Sequence, residues 1–171
     1  MTDSTSQIEI RHISERDFEG FHTCLDSVAR ERKFLGFVEA PSLENTRKWL
    51  LNGIKKGTIR LIALDSSEVV GWCDIETSEH EGFTHSGRLG MGLLKEYRGQ
   101  GIGSRLLEET LSEARDLRFE RVELDVYASN VIAIGLYEKF NFQMEGRKRK
   151  ARKLNGSYDD IIVMALLFDE K

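Results

Sequence analysis

The chain has 171 residues, of which 40% are apolar and 32% charged, with 15 glycines and a single proline. That is the composition of one ordinary folded domain, expected to span residues 1–171 with residues 1–7 as a flexible lead, and it excludes a disordered or collagen-like chain. Twenty-five Lys and Arg against 29 Asp and Glu give a formal charge of −4, so bulk electrostatics recruits no polyanion and an anionic ligand must be held locally.

Ile8, Ile10 and Ile13 alternate with polar residues and predict a short first strand. Ser14 reads as a helix cap, with Glu15 and Asp17 in the acidic first turn. Phe18, Phe21, Leu25 and Val28 follow at helical spacing. Pro41 and Ser42 break the chain and open a second helix, with a stripe of Leu43, Leu50 and Ile54 and a stop at Gly57. Residues 58–64 and 69–75 predict a hairpin across the turn 65–68, and residues 87–94 a fourth strand. Ile102, Leu106, Leu107, Thr110, Leu111, Ala114 and Leu117 fit the helical period closely. Residues 121–127 predict a strand with Val122, Leu124 and Val126 on one face. Asn130 caps the next helix, whose inner stripe is Ala133, Ile134, Tyr137 and Phe140. Residues 142–152 and 159–167 predict a final hairpin around Asn155-Gly156. The order is β-α-α-β-β-β-α-β-α-β-β. It mixes hairpins with one strand–helix–strand crossover, and such a crossover makes a parallel pair.

The chemistry concentrates at Arg98-Gly99-Gln100-Gly101-Ile102-Gly103-Ser104, where a strand feeds a loop and the loop feeds a long helix. Glycines let successive N–H groups turn inward, and the first turn of a helix offers unpaired N–H groups at the positive end of its dipole. The combination favours a phosphate or pyrophosphate, to which Arg98 adds a fixed charge. The bland alternative is a turn with packing glycines. A dinucleotide fingerprint is excluded by Ser104 and a P-loop by the missing Gly-Lys-Ser/Thr.

This segment resembles the acyl-CoA pyrophosphate loop of the GNAT acetyltransferase superfamily. A second block, Asn130, Ala133, Ile134, Leu136, Tyr137, Lys139 and Phe142, resembles that family's downstream motif, with Asn141 where the family usually has Gly. The similarity runs over residues 8–167. It implies an α/β fold: a mixed, mostly antiparallel seven-stranded sheet with a splayed parallel central pair and helices on both faces. It implies acetyl-CoA as cosubstrate, bound by Met91, Gly92 and Leu93, by Arg98, Gly99, Gln100, Gly101, Ile102, Gly103 and Ser104, and by Asn130. Arg88, Gly90 and Gly92 share one strand face, which leaves part of it bare for a ligand.

The reaction implied is direct attack of an amine on the thioester. The resemblance assigns the Leu93 N–H to the oxyanion and Tyr137 to protonation of the thiolate; a core tyrosine is the alternative. Glu123, Asp125 and Tyr127 share one strand face, and Trp72, Asp74 and Glu76 another, suggesting a wet acidic cleft for a cationic amine. Asp125 is the first choice of base, ahead of Glu76, Asp74 and His85. Residues 30–41, with Phe34, Phe37 and Glu39, are expected to shape the acceptor pocket.

Residues 147–153 carry six basic side chains in seven. Pairing with Asp159 and Asp160 across the hairpin is the simpler account, and nucleic acid is not an expected partner. Cys24 and Cys73 are too few for a disulfide scaffold, and His12, His22, His80 and His85 lack the company a metal site wants, so no metal is expected. Without a signal peptide or apolar span, the expected setting is cytoplasmic, with no membrane partner. The acceptor expected is a small-molecule amine, with a protein N-terminus or lysine, or a non-catalytic acyl-CoA sensor, as alternatives. A homodimer is left open.

Overall fold

A computed structural model describes residues 8–168. The expectation for residues 1–7 lies outside them. Seven strands form one sheet in the order β1-β2-β3-β4-β5-β7-β6. They are β1 (Glu9–His12), β2 (Ile59–Asp65), β3 (Glu68–Thr77), β4 (Ser86–Leu93), β5 (Arg121–Tyr127), β6 (Gln143–Leu154) and β7 (Ser157–Leu167). The helices are α1 (Phe18–Arg30), α2 (Leu43–Lys56), α3 (Ile102–Asp116) and α4 (Val131–Lys139), and their order along the chain is the one expected. β4 and β5 are parallel, and their register covers Ser86–Arg88 against Arg121–Glu123, so Met91, Gly92 and Leu93 lie beyond it. Short 3-10 turns at Glu15–Asp17, Glu81–Phe83 and Lys95–Tyr97 were not signalled by periodicity, since one turn is too short to show any.

The backbone divides into two compact units, Met1–Asp74 with Met91–Leu111, and Ile75–Gly90 with Ser112–Lys171. In the first, Phe18, Phe21, Leu25 and Val28 of α1 pack on Leu50, Ile62, Leu64, Val69 and Trp72. Phe21 meets Trp72 edge-on at 5.6 Å between ring centroids. The start of α1 is held by Asp17, which takes hydrogen bonds from the Ser14 N–H at 2.8 Å and Oγ at 2.7 Å and an ion pair from Arg11 at 2.8 Å. Burial would raise the Asp17 pKa, but the Arg11 and Ser14 hydrogen bonds outweigh it and bring it down to about 2.

The inner face of α2 is Thr46, Leu50 and Gly53, spaced by four and three residues. Ile54, expected in that stripe, is exposed because it lies one residue around the helix from Gly53. Gly53 is small because the guanidinium of Arg60 lies against it. Arg60 is itself buried, stacked on Trp49 at 3.8 Å and paired with Asp74 at 3.0 Å. The stripe of α3 is buried as expected from Ile102 to Ala114, but Leu117 is exposed, one residue past the helix end at Asp116.

In the second unit β5 buries Val122, Leu124 and Val126 and half-exposes Arg121, Glu123, Asp125 and Tyr127, the alternation expected. β6 and β7 meet at Asn155-Gly156, both at positive φ (50° and 80°), the backbone that a tight two-residue hairpin turn requires. β6 is the edge of the sheet and is exposed along most of its length. Its cations and the register shift between Lys148 and Arg152 are features that disfavour edge-to-edge pairing of strands.

Candidate functional site

In the first unit β4 ends at Leu93, and the chain makes a 3-10 turn and enters the glycine loop. Gly99 and Gly101 adopt φ of 74° and 81°, a left-handed backbone open to glycine and strained for other residues. A Cβ added at either position would meet nothing within 4 Å, so the conformation, not crowding, calls for glycine there. The Arg105 N–H donates to the Gly101 carbonyl at 3.1 Å and closes the first turn of α3. The N–H groups of Ile102, Gly103 and Ser104 precede that bond and have no partner within the helix. Ile102 is buried and anchors the turn. Open space over left-handed glycines, at the positive end of a 15-residue helix, suits a pyrophosphate. Around the loop, Gln100 donates through Nε2 to the Glu96 carbonyl at 2.7 Å, and the Tyr97 hydroxyl donates to Asp65 at 2.9 Å.

Two expectations about this segment change. Arg98 is not turned out as a phosphate cation. Its Nε and Nη2 donate to the Leu93 carbonyl at 3.0 and 2.7 Å, and its guanidinium forks onto the Glu31 carboxylate, with Nη1 at 2.9 Å from Oε2. It also lies 4.7 Å over the Phe34 ring. Nor does Gly92 offer a bare face to a ligand: an added Cβ would come within 2.3 Å of the Trp72 ring, so glycine there answers internal packing.

The geometry does orient Leu93. The Leu94 N–H donates to the Val70 carbonyl on β3 at 2.9 Å. N–H groups alternate sides along a strand, and the N–H and C=O of one residue share a side. The Leu93 N–H and C=O therefore both point away from β3. The Gly92 carbonyl, anti to the Leu93 N–H across their planar peptide, comes within 2.9 Å of a Cβ built on Gly71 of β3, as that orientation requires.

Asp125, Asn130 and Tyr137 belong to the second unit. Asn130 caps α4, its side chain accepting from the Ala133 N–H at 3.3 Å. Tyr137 is buried, with its ring 5.7 Å from that of Phe142. Asn141 takes φ of 65°, a conformation asparagine shares with the glycine usual in the family. Asp125 is ion-paired to Arg88 at 2.7 Å and to Lys148 at 3.0 Å. Burial pushes its pKa up, but the hydrogen bonds from Lys148 and Arg88 prevail and lower it. A carboxylate held ionised by two cations is a poor proton acceptor, which counts against Asp125 as general base. The acidic cleft fares no better at Asp74, which is buried against Arg60.

The basic run pairs locally. Arg147 meets Asp160 at 2.7 Å, Lys148 meets Asp125, and Arg152 lies 4.6 Å over the Tyr127 ring. Lys150 and Lys153 lie 5.0 and 5.1 Å over the ring of Tyr158. Among the described residues no group of three or more His, Cys, Asp and Glu could hold a metal ion. Burial pushes the thiols of Cys24 and Cys73 up to about 12, which keeps them protonated and unreactive.

Two partners went unnoticed in the sequence. Glu31 holds Arg98 from 67 residues away, and no local pattern signals that. Arg88 was visible on its strand face, but its tie to Asp125 depends on the parallel pairing of β4 with β5.

A mixed sheet whose parallel pair precedes and follows a glycine-headed helix is the frame of an acyl-CoA-dependent transferase. The acetyltransferase (GNAT) family model matches residues 9–142, and the chain belongs to that family. It is an N-acetyltransferase, as its relatives are. It is 27% identical over 161 residues to the L-amino acid N-acetyltransferase AaaT of Escherichia coli K12, covering 94% of this chain and 98% of that protein. The crystal structure of a ribosomal-protein-alanine N-acetyltransferase from Brucella melitensis is 27% identical, with a TM-score of 0.87 over 94% of this chain and 99% of that one. The Salmonella typhimurium protein yncA, solved with its cofactor acetyl-CoA, shares the fold at 18% identity and a TM-score of 0.89, over 96% of this chain and 95% of that one. No helix among the described residues is long and apolar enough to cross a membrane.

Proposed function

We propose that residues 1–171 act as one acyl-CoA N-acyltransferase domain, which moves the acetyl group of acetyl-CoA to the primary amine of a small molecule in the cytoplasm. The observation that carries this reading is the left-handed backbone at Gly99 and Gly101 heading α3, with open space above it. In this reading the N–H groups from Gly99 to Ser104 take the pyrophosphate, and Met91, Gly92, Leu93 and Asn130 hold the pantetheine arm. Acetyl-CoA supplies an activated acyl carbon. The amine nitrogen bonds to that carbon, the C–S bond breaks, and the sulfur leaves as a thiolate.

Three roles fall to this chain. The Leu93 N–H, directed away from β3, donates to the acyl oxygen as negative charge develops there. Tyr137 gives its proton to the departing thiolate. Asp125, tied to Arg88 and Lys148, stays an anion; one ammonium proton passes to water before attack, and the second, shed as the nitrogen becomes an amide, returns through water to restore the Tyr137 hydroxyl. Residues 30–41 shape the acceptor pocket. Similarity to an L-amino acid acetyltransferase over nearly the whole of both chains favours a small acceptor. The Brucella relative keeps a protein N-terminus as the second reading. Nucleic acid is not a proposed partner, because the cations of β6 meet carboxylates and rings of the same unit.

The test is release of free thiol from acetyl-CoA against a panel of amino acids, polyamines and peptides with free N-termini. A small amine is expected to raise thiol release well above hydrolysis, and Tyr137→Phe to lower kcat about tenfold or more with acetyl-CoA affinity kept. If acetyl-CoA binds, no amine raises thiol release and Tyr137→Phe changes nothing, the chain is a sensor and the reading fails. If only peptides serve, the acceptor is a protein.

A further inference from the structure

Arg98 stands at the head of a phosphate loop, yet its side chain is spent elsewhere. Nε and Nη2 donate to the Leu93 carbonyl, and Nη1 together with the shared Nη2 faces Glu31. The pair is half-buried, with 32% and 23% of the Arg98 and Glu31 side chains exposed. A planar guanidinium can serve a carbonyl and a carboxylate together only with both in fixed places. The peptide that follows Leu93 is pinned at both ends, its C=O by Arg98 and its N–H by the Val70 carbonyl. The Leu93 N–H lies on the same side of the strand as that pinned C=O.

The other end of the fork reaches the segment between α1 and α2. Glu31 is the first residue past α1. Phe34 lies under the guanidinium and, with Leu35, packs on the apolar core. The far end of the segment is fastened separately, by the Ala40 N–H on Asp26 at 2.9 Å and by the Pro41 carbonyl against His22 at 2.9 Å. Residues 31–41 have neither helix nor strand to hold them, so these fastenings set their shape.

We propose that Arg98, held by Glu31, is a positioning residue that sets the Leu93 backbone and residues 31–41 in one arrangement, joining the acyl-oxygen donor to the acceptor pocket. It acts through Leu93 and leaves the phosphates to the backbone of the glycine loop. The inference rests on the function proposed for Leu93 and for residues 30–41. It also makes Glu31 a determinant of amine affinity.

Steady-state kinetics, acetyl-CoA titration calorimetry and amide hydrogen exchange test it on the full chain. Arg98→Lys keeps the charge and loses the fork; kcat is expected to fall about tenfold, with the acetyl-CoA Kd within about twofold. Glu31→Gln is expected to raise the amine KM about threefold to tenfold, leave the acetyl-CoA Kd unchanged and speed exchange over residues 31–41. Glu31→Asp should recover part of the KM. In the double variant the kcat loss should stay within about twofold of that in Arg98→Lys, because the two residues act as a unit. A tenfold weaker acetyl-CoA Kd in Arg98→Lys with kcat unchanged would make Arg98 a phosphate ligand and overturn the proposal. Wild-type KM and exchange in Glu31→Gln would overturn it too. Exchange is measured without acetyl-CoA or amine. If no amine in the panel is acetylated, the functional reading fails, while exchange still decides whether Glu31 holds residues 31–41.

Discussion

In the unit formed by Met1–Asp74 with Met91–Leu111, three arginines end on buried or backbone partners, while Arg30 and Arg47 meet carboxylates at the surface. Arg60 closes on Asp74, Arg11 on Asp17, and Arg98 on the Leu93 carbonyl as well as on Glu31. In the unit formed by Ile75–Gly90 with Ser112–Lys171, arginines reach half-buried or exposed carboxylates of other strands of the sheet. Arg88 meets Asp125, Arg121 meets Glu145, and Arg147 meets Asp160. The first kind fixes where the backbone lies, since a buried charge has few alternatives to its partner. The second kind is solvated and covers strand faces at low energetic stake. The same residue types thus do different work, and burial decides which.

The difference should be largest at the buried pair. Asp74→Ala leaves the Arg60 charge without its carboxylate in the core, and chemical denaturation should show a loss of about 3–5 kcal/mol. A loss below about 1 kcal/mol would erase the contrast between the units. At the other extreme stands Lys148→Ala, which removes one of two cations from Asp125 on the exposed face. Its stability cost should stay within about 1 kcal/mol. The variant also sharpens the role of Asp125. If that carboxylate were the base, loss of Lys148 would raise its pKa and move the acid limb of kcat/KM upward. The account predicts no such movement.

The contrast also explains what could be read from the sequence. Period-two and period-3.6 patterns belong to short stretches, so β5, α3 and the hairpin at Asn155-Gly156 were legible. So was the parallel pair, because the crossover between β4 and β5 permits nothing else. The glycine loop was legible as a conformation, from residues that tolerate positive φ. Side-chain destinations were not. Arg98 had the right charge in the right loop, but its partner comes from the end of α1, and a carboxylate 67 residues away leaves no trace in local spacing. The partners of Asp125 were equally hidden, since the cations that hold it ionised come from β4 and β6. Gly92 looked like open backbone because a sequence does not show which ring lies against it. Ile54 and Leu117 are smaller cases, in which the pattern continued past the face or the helix end that would have buried them.

The central claim is that backbone N–H groups at the head of α3, and not the Arg98 side chain, hold the cosubstrate's phosphates. Gly101 is a poor place to test it, because its φ of 81° would strain any substitute and disturb the loop itself. Gly103 lies inside the first turn of α3, where an aspartate suits the helix dipole yet would repel a phosphate. Acetyl-CoA titration calorimetry on Gly103→Asp is the direct measurement. The account predicts a Kd at least about tenfold weaker with the thermal midpoint kept, while Arg98→Lys stays within about twofold of wild type. An unchanged Kd in Gly103→Asp, or a loss confined to Arg98→Lys, would contradict it.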